Sequence, residues 1–238
     1  MADGQYFRLI LNPSCIEIAA DFFFRCTLLI EVVFRGNKLT RIRQRAFMYC
    51  WNLQRINAFP KRLKYLEEMA FIDCGALEIH LVIPKGCVLV GQSCFQACSL
   101  KSVVFEEPSS PERILEIHVW AFCECHLLRS VRLPKNLRVI PAGCFSRCSE
   151  LTDIPLPQGV LQIESRSFLY CTKLTSIDLP ESIHILGANA YSSCTSLESI
   201  TIRCASSNIE IGRNVFLGCS AVSTIRTKIV PSNAISSL

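Results

Sequence analysis

The sequence predicts a solenoid of stacked coils, each adding one strand to a parallel sheet, and three observations carry that expectation. An aromatic followed three residues later by cysteine occurs nine times, at Phe23/Cys26, Phe47/Cys50, Phe71/Cys74, Phe95/Cys98, Phe122/Cys125, Phe145/Cys148, Phe168/Cys171, Tyr191/Cys194 and Phe216/Cys219. These cysteines stand 24, 24, 24, 27, 23, 23, 23 and 25 residues apart, a near-fixed period of the kind that repeat architectures show. The same apolar pattern also fills every interval.

Each coil reads in order. A leucine follows the cysteine at Leu29, Leu53, Leu77, Leu128, Leu151, Leu174 and Leu197, with Leu100 in the shortened fourth unit and Val222 in the last. Apolar residues then alternate, as in Val131/Leu133, Ile154/Leu156, Ile177/Leu179 and Ile200/Ile202, the period of a short strand with one buried face. Proline closes the strand at Pro60, Pro84, Pro134, Pro157 and Pro180, because it has no amide to continue a ladder. An inward loop aliphatic precedes each aromatic by five residues: Ile18, Ile42, Leu66, Val90, Ile117, Ile140, Ile163, Leu186 and Ile211. Stacking at about 4.8 Å per strand should give a sheet on one side and an aromatic column on the other. Each buried Phe is worth roughly 2 to 3 kcal/mol.

The pattern LxxIxLPxxLxxIxxxAFxxC resembles the leucine-rich repeat of the Treponema type, also called BspA-like. The units LLRSVRLPKNLRVIPAGCFSRC, LTDIPLPQGVLQIESRSFLYC and LTSIDLPESIHILGANAYSSC match it almost position for position. The resemblance implies an α/β-type repeat solenoid, an arc with a parallel β-sheet on the concave face and short turns or helical turns on the convex face. It covers residues 1–238 as a single domain of about nine to ten coils, with the polar stretch EEPSSPER at 106–113 as an insertion. It also implies a binding module whose partners differ between members, the secreted ones being adhesive.

Half of the residues are hydrophobic, yet the longest apolar run, residues 46–51, is too short for a bilayer. The opening MADGQYFRLILNPSC carries Asp3 and has neither a basic start nor an apolar segment of signal-peptide length, which leads us to expect an intracellular, cytoplasmic protein. Of fifteen cysteines, nine form the repeat and Cys94 and Cys144 replace a small Ala, so we expect free thiols packed as small hydrophobes. Paired CxxC spacing is absent, and no metal or other cofactor is expected. No Gly-rich phosphate loop appears, and His80, His118, His126 and His184 make no nucleophile arrangement, which argues against an enzyme.

Two surfaces are candidates for partner binding. Outward strand positions should line the concave face: Glu31, Arg55, Asn57, His80, Ser102, Ser130, Arg132, Asp153, Ser176, Asp178, Ser199, Thr201 and Arg226. The second is a basic flank, since residues 1–64 hold 11 Lys or Arg against 4 Asp or Glu, while the remainder holds 14 against 16. Lys38, Arg41, Arg43, Arg45, Lys61, Arg62 and Lys64 should gather there and could meet an acidic protein, nucleic acid or lipid headgroups. No stacking aromatics are read beside them, which argues against nucleic acid. The expected role is a scaffold or subunit binding another protein, with end-to-end self-association as a further option; an electrostatic binder of nucleic acid or anionic membrane is the alternative.

Overall fold

The structure, a computed structural model, describes residues 5–108, 110, 114–203 and 209–227. Cys204, Ile229 and half of the 106–113 insertion lie outside the described residues. Strands occur at two places in most coils. The alternating segment gives β1 (Phe7–Leu11), β3 (Leu29–Phe34), β5 (Arg55–Ile56), β7 (His80–Ile83), β9 (Ser102–Phe105), β11 (Ser130–Arg132), β14 (Ser176–Leu179), β16 (Ser199–Ile202) and β18 (Thr224–Thr227). These pair in parallel as β1-β3-β5, β7-β9-β11 and β14-β16-β18. They form the long-strand face, the one expected to be concave.

The aliphatic read as a loop residue lies in a second set of parallel strands, two residues each: β2 (Glu17–Ile18), β4 (Arg41–Ile42), β6 (Tyr65–Leu66), β8 (Leu89–Val90), β10 (Glu116–Ile117), β12 (Val139–Ile140), β13 (Gln162–Ile163), β15 (Ile185–Leu186) and β17 (Glu210–Ile211). Register holds Ile18, Ile42, Leu66, Val90 and Ile117 in one line, and Ile140, Ile163, Leu186 and Ile211 in another.

The described residues contain no helix, so the segment around each aromatic is made of turns and the helical-turn form of the expectation is not what forms. The reason lies in where the amides go. In the second coil Ala46, Met48 and Cys50 donate within the coil to the carbonyls of Arg43, Arg45 and Phe47, whereas Arg45, Phe47 and Tyr49 donate to Glu68, Ala70 and Ile72 of the next. A helix keeps every amide inside its own segment; here every second one crosses to the neighbour. The alternation places the residues two before and two after the aromatic at positive φ, as type II turns demand. Sixteen of these positions hold non-glycine residues, with φ between 51° and 62°. Gly143 is different, because a Cβ there would lie 2.2 Å from the Trp120 ring of the preceding coil.

The aromatics stack as the period requires. From Phe23 to Phe216 successive ring centroids lie 5.0–5.8 Å apart at interplanar angles of 5–17°, an offset stack. Each ladder cysteine from Cys50 to Cys219 donates its S–H to the carbonyl of the preceding coil's aromatic, at 3.0–3.3 Å. The cysteine is thus both a small core residue and a link between coils. The fourteen described cysteines are free thiols, and all but Cys15 and Cys26 are buried.

Candidate interaction surface

Register builds the long-strand face from single residues. Arg8, Glu31 and Arg55 are aligned across β1, β3 and β5. His80, Ser102 and Ser130 are aligned across β7, β9 and β11, and an isolated bridge carries the row to Asp153. Ser176 and Ser199 align with Thr224, and Asp178 and Thr201 with Arg226. The predicted outward residues therefore occupy one face.

Several of them are held by contacts that cross coils. Glu31 accepts from Arg8 and lies 4.0 Å from Arg55. The Asn57 amide clasps the Phe34 backbone, accepting from its N–H at 2.7 Å and donating to its carbonyl at 3.1 Å. His80 Nδ1 lies 2.7 Å from the Ser102 hydroxyl. Arg203 grips Asp178 through two bonds of 2.6 Å, and those bonds hold the Asp178 carboxyl below its usual range. Arg132, Lys135 and Asp153 make no side-chain ion pair among the described residues, and the Lys135 backbone N–H donates to the Glu107 carboxylate at 3.4 Å. They line a cavity of about 690 Å³ with Ser102, Val104, Ser130 and Pro155. A second hollow of about 510 Å³ adjoins it through Ser102 and Ser130 and is lined by His80, Lys101 and Arg129.

The predicted basic flank divides in two. Arg41, in β4, lies 2.7 Å from Glu67, Arg43 3.1 Å from Glu17 and Arg45 2.9 Å from Asp21, each pair bridging coils. Lys38, Lys61 and Arg62 stand at the corner between the two strand classes, Lys64 at the entry to β6, and none of the four has an acidic partner among the described residues. The expectation of no interleaved aromatics is corrected. Arg41 covers the Tyr65 ring at 4.2 Å, and Arg25 sits between Phe24 and Tyr49 at 5.3 and 5.6 Å.

The first coils hold features that the sequence reading passed over. Phe22 is 68% exposed where other coils bury Ala, Cys, Ser or Val, and Trp51, 52% exposed, occupies a position held elsewhere by small residues or His126. Comparing each coil with its neighbours would have found both. Among the described residues no group of three or more His, Cys, Asp or Glu is placed to hold a metal ion, and no helix is long and apolar enough to cross a membrane.

No curated protein matches the chain in sequence. Its structure is similar to that of a leucine-rich repeat protein from Bacteroides ovatus, with 25% identity and a TM-score of 0.77 over 93% of this chain and 63% of that one. A leucine-rich repeat protein from Eubacterium ventriosum is similar at 16% identity and a TM-score of 0.56, over 94% of this chain and 67% of that one. The chain thus spans just under two thirds of the Bacteroides protein. The model of the BspA-type leucine-rich repeat region matches six copies across residues 6–110 and 105–223. With the aromatic column, the thiol ladder and the parallel strands all in the same register, the chain belongs to the BspA-type leucine-rich repeat family.

Proposed function

We propose that the chain is a non-enzymatic interaction scaffold that docks a protein partner on the long-strand face around coils four to six. One observation carries the reading. Several outward residues of this face are held across coils, as His80 is by Ser102 and Asp178 by Arg203, whereas Arg132 and Asp153 make no side-chain ion pair among the described residues and border an open cavity of about 690 Å³. The buried free thiols support a reducing, intracellular setting. The rival, an electrostatic binder of nucleic acid or anionic membrane, loses support because Arg41, Arg43 and Arg45 are neutralised in place. The first coil also exposes Phe7 and Ile10 along β1, an edge for end-to-end association.

Capture from native extract with three proteins tests the reading: the unaltered chain, Ser130→Trp to fill the face, and Lys61→Glu/Arg62→Glu to reverse the corner. The expected outcome is a partner retained at physiological salt, lost with Ser130→Trp and kept with the reversed corner. Loss with the reversed corner alone would transfer the function to the basic surface. Light scattering of Leu9→Glu against the unaltered chain reads the end contact separately.

A further inference from the structure

The cavity lies where the long-strand ladder fails, and the failure is written in two prolines. In an intact pair of coils the amide seven residues after the cysteine reaches back to the preceding coil, as Asn57 does to the Val32 carbonyl at 3.3 Å. The amide nine residues after does the same, as Arg203 does to the Leu179 carbonyl at 3.1 Å. In the sixth coil those two positions are Pro155 and Pro157, which carry no N–H. The carbonyls of Val131 and Leu133 therefore receive no ladder amide from those two positions. Both residues line the cavity.

These two carbonyls are only half of the pattern. Arg132 lies between them in the chain and Lys135 follows; neither cationic side chain is in an ion pair among the described residues, while the Lys135 backbone N–H donates to the Glu107 carboxylate at 3.4 Å. Val104 and Pro155 flank Arg132 on the neighbouring coils and give the cleft apolar sides. Two carbonyls two residues apart match the spacing at which an extended chain presents successive N–H groups to one side.

We propose that this cleft takes an extended acidic peptide segment of a partner protein: two of its amides reach the Val131 and Leu133 carbonyls, a carboxylate meets Arg132 and Lys135, and apolar neighbours rest against Val104 and Pro155. The inference rests on the long-strand face being the docking surface and adds the chemistry of what docks. The cleft suits a peptide better than a nucleic acid on three counts. Phosphodiesters offer no donors to the two carbonyls. No aromatic in the lining can stack on a base. The Glu107 and Asp153 carboxylates in the same wall repel a polyanion, while a single carboxylate placed at Arg132 avoids them.

Fluorescence anisotropy tests the proposal with a labelled, end-blocked heptapeptide of alternating Val and Ser that carries one central Glu. Its comparators are the same peptide with a central Lys, the Glu peptide N-methylated at alternate residues, and a single-stranded oligodeoxythymidine. The acidic peptide should bind at least about tenfold more tightly than each comparator, since buried charge-assisted pairs and backbone bonds are worth that much. Arg132→Gln should weaken it by about tenfold or more, and Pro155→Val, which restores a ladder donor, should also weaken it. Ser220→Arg, at an exposed turn away from the long-strand face, should leave it unchanged. Equal binding of the acidic and lysine peptides, tighter binding of the oligonucleotide, or no peptide binding overturns the proposal. If no peptide binds and yet Ser130→Trp still releases the native partner, the peptide chemistry is wrong and the docking face stands; a partner retained by Ser130→Trp removes both.

Discussion

Tyr191 stands in a column whose eight other members are phenylalanine, and it is wholly buried between Phe168 and Phe216. Among the described residues its hydroxyl has no hydrogen-bond partner, and burial pushes its pKa well above the usual phenol range. The ring is required by the stack, whereas the oxygen lost its water on folding and gained nothing. An unsatisfied buried polar group costs about 1 to 3 kcal/mol. Tyr191→Phe should therefore raise stability by about 1 kcal/mol or more, read as a higher urea midpoint with an unchanged slope. A lower midpoint would show that the hydroxyl has a partner in solution. The sequence revealed the aromatic at this place but not its orphaned oxygen, because a hydroxyl's satisfaction depends on atoms brought from other coils. The same limit hid the second role of the cysteines. Their spacing marks them as core residues, yet the S–H bond to the preceding aromatic's carbonyl joins residues 26 to 30 apart.

The elements follow from period and polarity where a strand is long enough to alternate, as in Ser176–Leu179 and Ser199–Ile202. The second sheet escaped because two residues, such as Arg41–Ile42, cannot show a period of two. Its only trace is the invariant aliphatic five places before the aromatic. The surface was legible as a set of outward positions, but the sequence could not show which cations were paired; Arg43 finds Glu17 and Arg45 finds Asp21 only through stacking. The thiol ladder has a testable element-scale consequence. Burial pushes Cys50 up to about 12 and Cys87 and Cys123 up to about 11, against 9.0 for an exposed thiol. Because the folded values are raised, the neutral thiols favour the folded state fully below pH 9, and that contribution is lost as pH rises toward the folded values. The urea midpoint should hold level to about pH 8.5 and fall steeply between about pH 9 and 12; a level midpoint through pH 11 would contradict the burial of these thiols. In the same assay Phe145→Ala should cost about 3 to 5 kcal/mol and Cys148→Ala less, since the aromatic leaves the larger cavity.

A stacked solenoid is stable as the sum of its coils and of their nearest-neighbour interfaces, so the weakest interface sets how the whole molecule opens. Three ladders join a typical pair of coils: long strands, short strands and turns. Between the fifth and sixth coils two of the three are interrupted. The amide that follows the short-strand aliphatic reaches the preceding coil elsewhere, as Glu164 does to Ile140 and Gly187 to Ile163, but at this junction the position is Pro141 and β10 and β12 do not pair. In the long-strand ladder Pro155 and Pro157 leave the bridge between Ser130 and Asp153, the Thr152 amide on the Arg129 carbonyl at 3.2 Å and the Arg129–Glu150 ion pair at its start. The turn ladder stays whole, with Trp120, Phe122 and Glu124 donating to Ala142, Cys144 and Ser146, and with it the Cys148 S–H bond to the Phe122 carbonyl and the stacked rings of Phe122 and Phe145 at 5.7 Å. The gap between β5 and β7 is milder, because β4, β6 and β8 run on past it. Two cooperative blocks should therefore meet at the fifth and sixth coils. Native-state hydrogen exchange in rising denaturant should show the strands up to β11 merging into one opening isotherm and those from β12 onward into a second. Pro155→Val, by returning a donor to Val131, should draw the two isotherms together. A single isotherm for all protected amides in the unaltered chain would mean that the turn ladder and the aromatic stack alone carry cooperativity across the prolines.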